Sequence, residues 1–450
     1  MTRKLYAILS VVLLAAFVLA ACGTATTAAP ATAAPATEAP AATEAATVAA
    51  TEAAAPVTIT WWHISTKDPG LSDWQKMADD YMAAHPNVKI EITVLENEAF
   101  KTKLATVLQS GDVPDIFQSW GGAGLVEQQQ AGLLQDITPA LEADGGAWKD
   151  SFAPGALGVF NVDSKYYGVP WDMGMVSVWY NKDLFAKAGI ANPPATWDEF
   201  LADVKTLKDA GITPLALGEK DSWTGMHIWS YLATRIGGQA DFQAVYTGQA
   251  KWTDPTFVQA GTELKKLIDL EPFQAGFLGA THDEMQATFG NGEAAMLIGG
   301  QWTPSVEAAN SKDGKGVANL GMFNFPAVTG GKGAGTDAMG GGNGFAIGKN
   351  APAEAVDFVK YLTSVENQKV IAGDGTGIPT VKGAEAAIKD PNMQLVQSGF
   401  ASAQYFQLYY DQFLPSAVAG AINDSVAKLY AGTATPEEVC AEIQAAADAQ

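Results

Sequence analysis

From Val57 onward, short alternating or continuous apolar runs take turns with segments in which apolar residues recur at every third or fourth position. That pattern predicts an α/β protein with mostly parallel strands, each strand buried between helices. Val57–Trp61 is a predicted strand. Leu71–His85 is a predicted helix with Trp74, Met77, Ala78, Tyr81 and Met82 on one face, closed by Pro86. A strand over Lys89–Val94, a helix over Phe100–Ser110 and a buried strand at Asp115–Gln118 follow, the last ending at Trp120-Gly121-Gly122. Further on, the pattern predicts strands at Val176–Tyr180, Ile212–Leu217, Ala294–Ile298, Asn319–Phe325 and Phe345–Ile347, the last preceded by the run Gly340-Gly341-Gly342-Asn343-Gly344. Helices are expected at Lys182–Ala188, Trp197–Ala210, Trp223–Ile236, Asp254–Leu270, His282–Asn291, Ala353–Leu362, Val365–Ala372 and Leu414–Tyr430, with a last one beginning at Pro436. Thr196 is placed to cap its helix, with Asp198 and Glu199 in the first turn where the helix dipole favours them. The body is too long for one open sheet and has no linker-like break, so two α/β lobes joined by several chain crossings are expected.

The start of the chain has a different texture. Arg3 and Lys4 precede an apolar run from Leu5 to Leu19, and Leu19-Ala20-Ala21-Cys22 puts small residues before a cysteine. Residues 1–21 are therefore expected to be an export signal, since the apolar stretch is at the short limit for a membrane span and ends in a cleavage pattern. Residues 24–55 are built of Ala, Thr, Pro and Glu with one Val, and Pro30, Pro35 and Pro40 favour an extended, solvated spacer; residues 22–55 are expected to act as a tether.

Composition narrows the chemistry. The chain carries 27 basic and 49 acidic residues among 450, a formal charge of −22, which is the wrong sign for nucleic acid. Two cysteines exclude a disulfide framework, and four histidines leave little for an imidazole metal site, so no metal or cofactor is expected. Asn343–Asn350 fails as a phosphate loop, because its first glycine is misplaced and Asn350 stands where a magnesium-binding Ser or Thr belongs. There is no nucleophile elbow and no zinc-protease motif. His282-Asp283-Glu284 is read as a helix N-terminus, and Cys440 as a small packing residue. A glycoside hydrolase would need only two carboxylates across a cleft, which Glu96, Asp172, Asp221 or Asp411 could supply. A surface adhesion or scaffold protein would suit the tether as well.

What stands out is the company kept by tryptophan. Trp61-Trp62-His63, Glu96-Asn97, Trp120-Gly121-Gly122, Trp171-Asp172, Asp221-Ser222-Trp223 and Gln301-Trp302 fall at strand ends, and in open α/β sheets ligands bind beyond the carboxyl ends of strands. Indole, amide and carboxylate together suit a sugar, whose C–H faces stack on aromatic rings while its hydroxyls pair with planar polar groups. Trp61, Trp74, Trp179, Trp197 and Trp229 fit core periodicity, whereas Trp62, Trp120, Trp223 and Trp302 sit beside glycine or polar loop residues. The expected ligand-binding set is Trp62, Glu96, Trp120, Gly121, Asp172, Trp223, Trp302, Asn343 and Asp411.

Several segments, in this order and spacing, resemble the family 1 extracellular solute-binding proteins of ABC importers, sugar-binding lipoproteins related to maltose-binding protein. They are Thr60-Trp61-Trp62-His63, Gly111–Ile116, Gln130–Leu134, Trp179–Phe185, Pro194–Phe200 and Gly340–Phe345. The tetrad at Cys22 likewise resembles the bacterial lipobox, which implies acylation of Cys22 and anchoring at the extracytoplasmic face of the membrane. The resemblance implies a two-lobe periplasmic-binding-protein-like fold of the class II type. The first lobe would comprise residues 56–172 with 340–375, the second 173–339 with 376–450. It further implies sugar stacking by Trp120 and Trp302, with Asp172 and Asn343 at the first two lobe crossings, and a monomer that delivers its ligand to a membrane permease. Within that family Val88–Lys103, Pro272–Phe277 and Phe406–Asp411 look like the branch taking xylobiose and other short plant oligosaccharides, with raffinose-type sugars as close competitors.

Overall fold

The computed structural model describes residues 55–450, and the expected signal, Cys22 and nearly all of the tether lie outside the described residues. In chain order the strands are β1 (Val57–His63), β2 (Val88–Val94), β3 (Ile116–Ser119), β4 (Asn161–Val162), β5 (Lys165–Tyr166), β6 (Gly168–Met175), β7 (Ser177–Asn181), β8 (Thr213–Ala216), β9 (Ala294–Gly299), β10 (Leu320–Phe323), β11 (Ala338–Ile347) and β12 (Phe406–Leu408). One sheet runs β12-β11-β3-β1-β2 with β6 also on β11, a second runs β10-β7-β9-β8, and β4 and β5 form a short hairpin.

Each sheet organises its own core. The first lobe buries Ile59, Trp61, Trp74, Trp148, Trp171 and Phe345 together, with Trp61 edge-on to Trp74, Phe345 and Phe358. The second buries Val178, Trp197, Trp229, Leu264, Ile298 and Tyr410 in one cluster that also takes in Cys440. Burial pushes the Cys440 thiol up to about 12, leaving it an inert packing group. The five tryptophans assigned to cores from periodicity are at most 1% exposed.

Local signals explain most helix starts. Thr196 accepts from the Glu199 N–H while Glu199 accepts from the backbone of Thr196, a capping box repeated at Thr281/Glu284 and Thr435/Glu438. His282 thus opens a helix, His282–Gly290, as expected.

Three features depart from expectation. The helix starting at Trp223 runs on to Tyr246, bending at Gly238, whose φ of 64° only glycine adopts cheaply. The glycine run lies inside one continuous strand, Ala338–Ile347, because the space a side chain would need is filled. A β-carbon at Gly341 would meet the Tyr409 ring at 2.5 Å. Residues 376–382, assigned from sequence to the second lobe, run along the first instead. Ala153 donates to Thr380 O at 2.9 Å, Lys382 donates to Ser151 O at 2.8 Å, and Val381 is buried in the first-lobe core.

The strands that join the lobes are β6 and β11, paired antiparallel, with Asp172 opposite Asn343. The register slips between Asn343 and Gly344, which leaves Trp171 as the extra residue of a bulge and re-aims the chain at the cleft.

Candidate ligand-binding site

A cleft open to solvent lies beyond the carboxyl ends of β1, β2, β3 and β9. Residues 64–70 after β1, Glu96 and Asn97 after β2, Trp120 after β3, and Gln301 and Trp302 after β9 all line it. The second lobe adds Trp223, His227 and His282 from helix starts, and the joining strands add Trp171, Asp172 and Asn343. This is the crevice at which open α/β sheets take ligands.

Of the nine residues expected from sequence, the fold brings seven together: Glu96, Trp120, Asp172, Trp223, Trp302, Asn343 and Asp411. Trp62 and Gly121 fall outside the lining. On β1, side chains alternate between faces, so the neighbour of buried Trp61 points away, and Trp62 packs toward the Phe100–Phe117–Leu125 cluster beneath Lys103, whose Nζ is 4.2 Å from the ring centre. Gly121 is a backbone device: its φ is 70° and a β-carbon would strike the Val159 carbonyl.

Asp172 corrects a further expectation. It is 1% exposed, and both carboxylate oxygens are taken by the protein. Oδ2 accepts from Gln301 Nε2 at 2.6 Å and Asn343 Nδ2 at 2.8 Å, and Oδ1 accepts from the Ile378 N–H at 2.7 Å. Burial pushes its pKa up to about 6, against the pull of these donors. Asp172 therefore pins three chain segments at the lobe crossing, and Asn343 is held in turn, its Oδ1 accepting from Gln118 Nε2 at 2.8 Å.

The other acids are also partly committed. Glu96 Oε2 caps the helix Asn97–Ser110, accepting from Glu98 N at 3.0 Å and Ala99 N at 3.2 Å. Asp221 Oδ2 accepts from the His282 N–H at 2.6 Å and fixes the loop before that helix, outside the cleft lining. Burial raises the Asp411 carboxyl above its ordinary range, partly offset by the Lys101 ammonium.

Across the mouth, Glu98 and Trp223 connect the lobes: Trp223 Nε1 donates to Glu98 Oε1 at 3.1 Å. The same oxygen accepts from Asn97 Nδ2 and Lys101 Nζ, each at 2.8 Å. Lys101 Nζ stands 5.7 Å from the Trp120 ring centre and 5.8 Å from that of Trp223, a cation between indoles of opposite lobes. Trp302 lies edge-on to Trp223 and tilted against Tyr409, completing an aromatic wall on the second lobe.

Sequence reasoning missed His227, His282, Tyr409 and Lys101 as lining residues. Gln301 is read with Trp302 as a strand-end pair but falls outside the expected set, and His282 is read only as part of a helix N-terminus. His227 and Tyr409 sit in apolar surroundings that signal only core.

Chain and fold together define a bacterial extracellular solute-binding protein: residues 66–369 match that family's model, and the chain belongs to the family. Among its relatives, a multiple sugar-binding protein of Streptococcus mutans is 27% identical over 74% of this chain and 78% of that one. A diacetylchitobiose binding protein of Streptomyces coelicolor is 26% identical over 74% of this chain and 75% of its own length. Two solved structures match with a TM-score of 0.81. One, from work on xylan utilization by the thermophile Caldanaerobius polysaccharolyticus, is 31% identical and covers 86% of this chain and 99% of that one. The other, a chitin oligosaccharide binding protein, is 30% identical and covers 88% and 98%. The two-lobe architecture expected from sequence is thus the observed one. Among the described residues, no helix is long and apolar enough to cross a membrane.

Proposed function

We propose that the protein is an oligosaccharide receptor of an ABC importer, binding a short neutral sugar between its lobes and delivering it to a membrane permease. The observation that carries this reading is the composition of the cleft. Indoles from both lobes, Trp120 on the first and Trp223 and Trp302 on the second, face a space whose polar rim is Glu96, Asn343, Asp411 and Gln301. Stacking faces with planar hydrogen-bonding groups match a sugar's alternating C–H and O–H surfaces, and closure of two lobes over the ligand supplies the switching energy.

Xylo-oligosaccharides, with xylobiose first, are the favoured ligands. The likeness to a protein from xylan-utilization work and the segments around Val88–Lys103 and Phe406–Asp411 support that choice; the likeness to chitin-oligosaccharide binders makes diacetylchitobiose the competitor. Cys22, acylated, would anchor the protein to the extracytoplasmic face of the membrane through the tether, the body acting as a monomer.

Isothermal titration of the protein against xylobiose, xylotriose, diacetylchitobiose, raffinose and maltose, with product analysis of each mixture, tests the proposal. One-to-one saturable binding with the sugar recovered intact is expected. Sugar breakdown, or silence across the panel, would overturn it.

A further inference from the structure

His227 and Tyr409 lie against each other on the second-lobe side of the cleft, and each carries a polar atom to which the protein offers no partner. His227, 2% exposed, belongs to the first turns of the helix Trp223–Tyr246, and its Nδ1 is without a hydrogen bond. Tyr409, 6% exposed, follows β12; its backbone N–H donates to Gly340 O at 2.8 Å, while its Oη has no partner. The two rings are stacked, 25° apart in plane with centroids 5.3 Å apart, and both residues line the cleft.

Buried polar atoms are mostly paired, and two unpaired ones on stacked neighbours that both line one cleft would be satisfied by a ligand group that serves both. Burial holds the imidazole neutral, its pKa pushed down to about 3, and holds the phenol protonated. A neutral imidazole nitrogen and a phenol between them offer one acceptor and one donor. A hydroxyl is the smallest group that can donate to one and accept from the other.

We infer that His227 and Tyr409 together read one hydroxyl of the bound sugar, and so decide which ring position must carry it free. The inference rests on the oligosaccharide reading above and adds to it a specificity pair. The seat of the pair is built in: Gly341, whose missing β-carbon leaves room for the Tyr409 ring, lies two residues before the lobe-crossing Asn343 on the same strand.

The test titrates xylobiose and diacetylchitobiose into the full-length wild type, Tyr409→Phe and His227→Phe, followed by the monodeoxy analogues of whichever sugar binds. Each variant is expected to lose about tenfold or more in affinity, and a single deoxy position should bind wild type and both variants alike, because the group all three would contact is already gone. The deoxy series on wild type alone stands even if a variant folds poorly. Binding that both variants keep within twofold, or variants that couple to different hydroxyls, would overturn this inference and leave the receptor reading intact. Silence of the wild type toward these two sugars and toward the rest of the panel above would overturn both.

Discussion

The Trp223 indole N–H of the second lobe donates to the Glu98 carboxylate of the first at 3.1 Å, so one hydrogen bond spans the cleft mouth. The contact needs no ligand, and it stabilises closure by an amount set by its half-exposed position.

Trp223→Phe keeps the ring and removes the donor. A partly solvated bond to a charged acceptor contributes about 1 kcal/mol, so the closed-to-open ratio of the unliganded protein should fall about fivefold. Small-angle scattering without sugar should show a larger radius of gyration for the variant than for wild type; equal radii would remove the latch role.

Trp302→Ala deletes a stacking face from the second lobe. The expected loss in sugar affinity is about 1–3 kcal/mol, read by titration. Affinity held within about twofold would show that Trp302 shapes the wall without touching the ligand.

Asp172→Asn replaces a carboxylate that accepts from Gln301, Asn343 and Ile378 with an amide that keeps one acceptor oxygen and turns its NH2 either on the Ile378 N–H or on the Gln301 and Asn343 donors. The thermal midpoint should drop, reflecting about 1–3 kcal/mol of lost stability. A variant as stable as wild type would mean that the crossing is held by β6–β11 pairing alone.

Several carboxyls shift upward in the folded protein, among them Asp172 to about 6, Glu307 to about 7 and Asp73 to about 7, with burial the leading cause in each. A raised folded pKa means that the contribution is complete below the unfolded value and lost as pH rises through the folded one. Stability should therefore decline from about pH 4.5 toward pH 7 and above. Calorimetry across that range checks the sign, and Glu307→Gln should flatten part of the slope.

How much of this was legible in sequence depends on where each residue's signal comes from. Strand ends read well, because β1, β2, β3 and β9 announce themselves by apolar runs and their following loops carry Trp120, Glu96 and Trp302. Trp62 was misplaced because its strand's alternation sends it to the face opposite Trp61, toward Phe100 and Phe117. The glycine run falls outside the predicted strand because glycine has low strand propensity, and only tertiary approaches, of Tyr409 to Gly341 and of Phe160 to Gly344, explain why a strand wants it. His227 gave no signal at all, being one polar residue on a helix whose surroundings are apolar.

The chain enters the body at Val57, the amino end of β1, while the cleft lies beyond the carboxyl end of the same strand. The covalent link to the preceding chain therefore leaves the first lobe from the end of β1 opposite the cleft, so that link and the ligand never compete for the same strand ends.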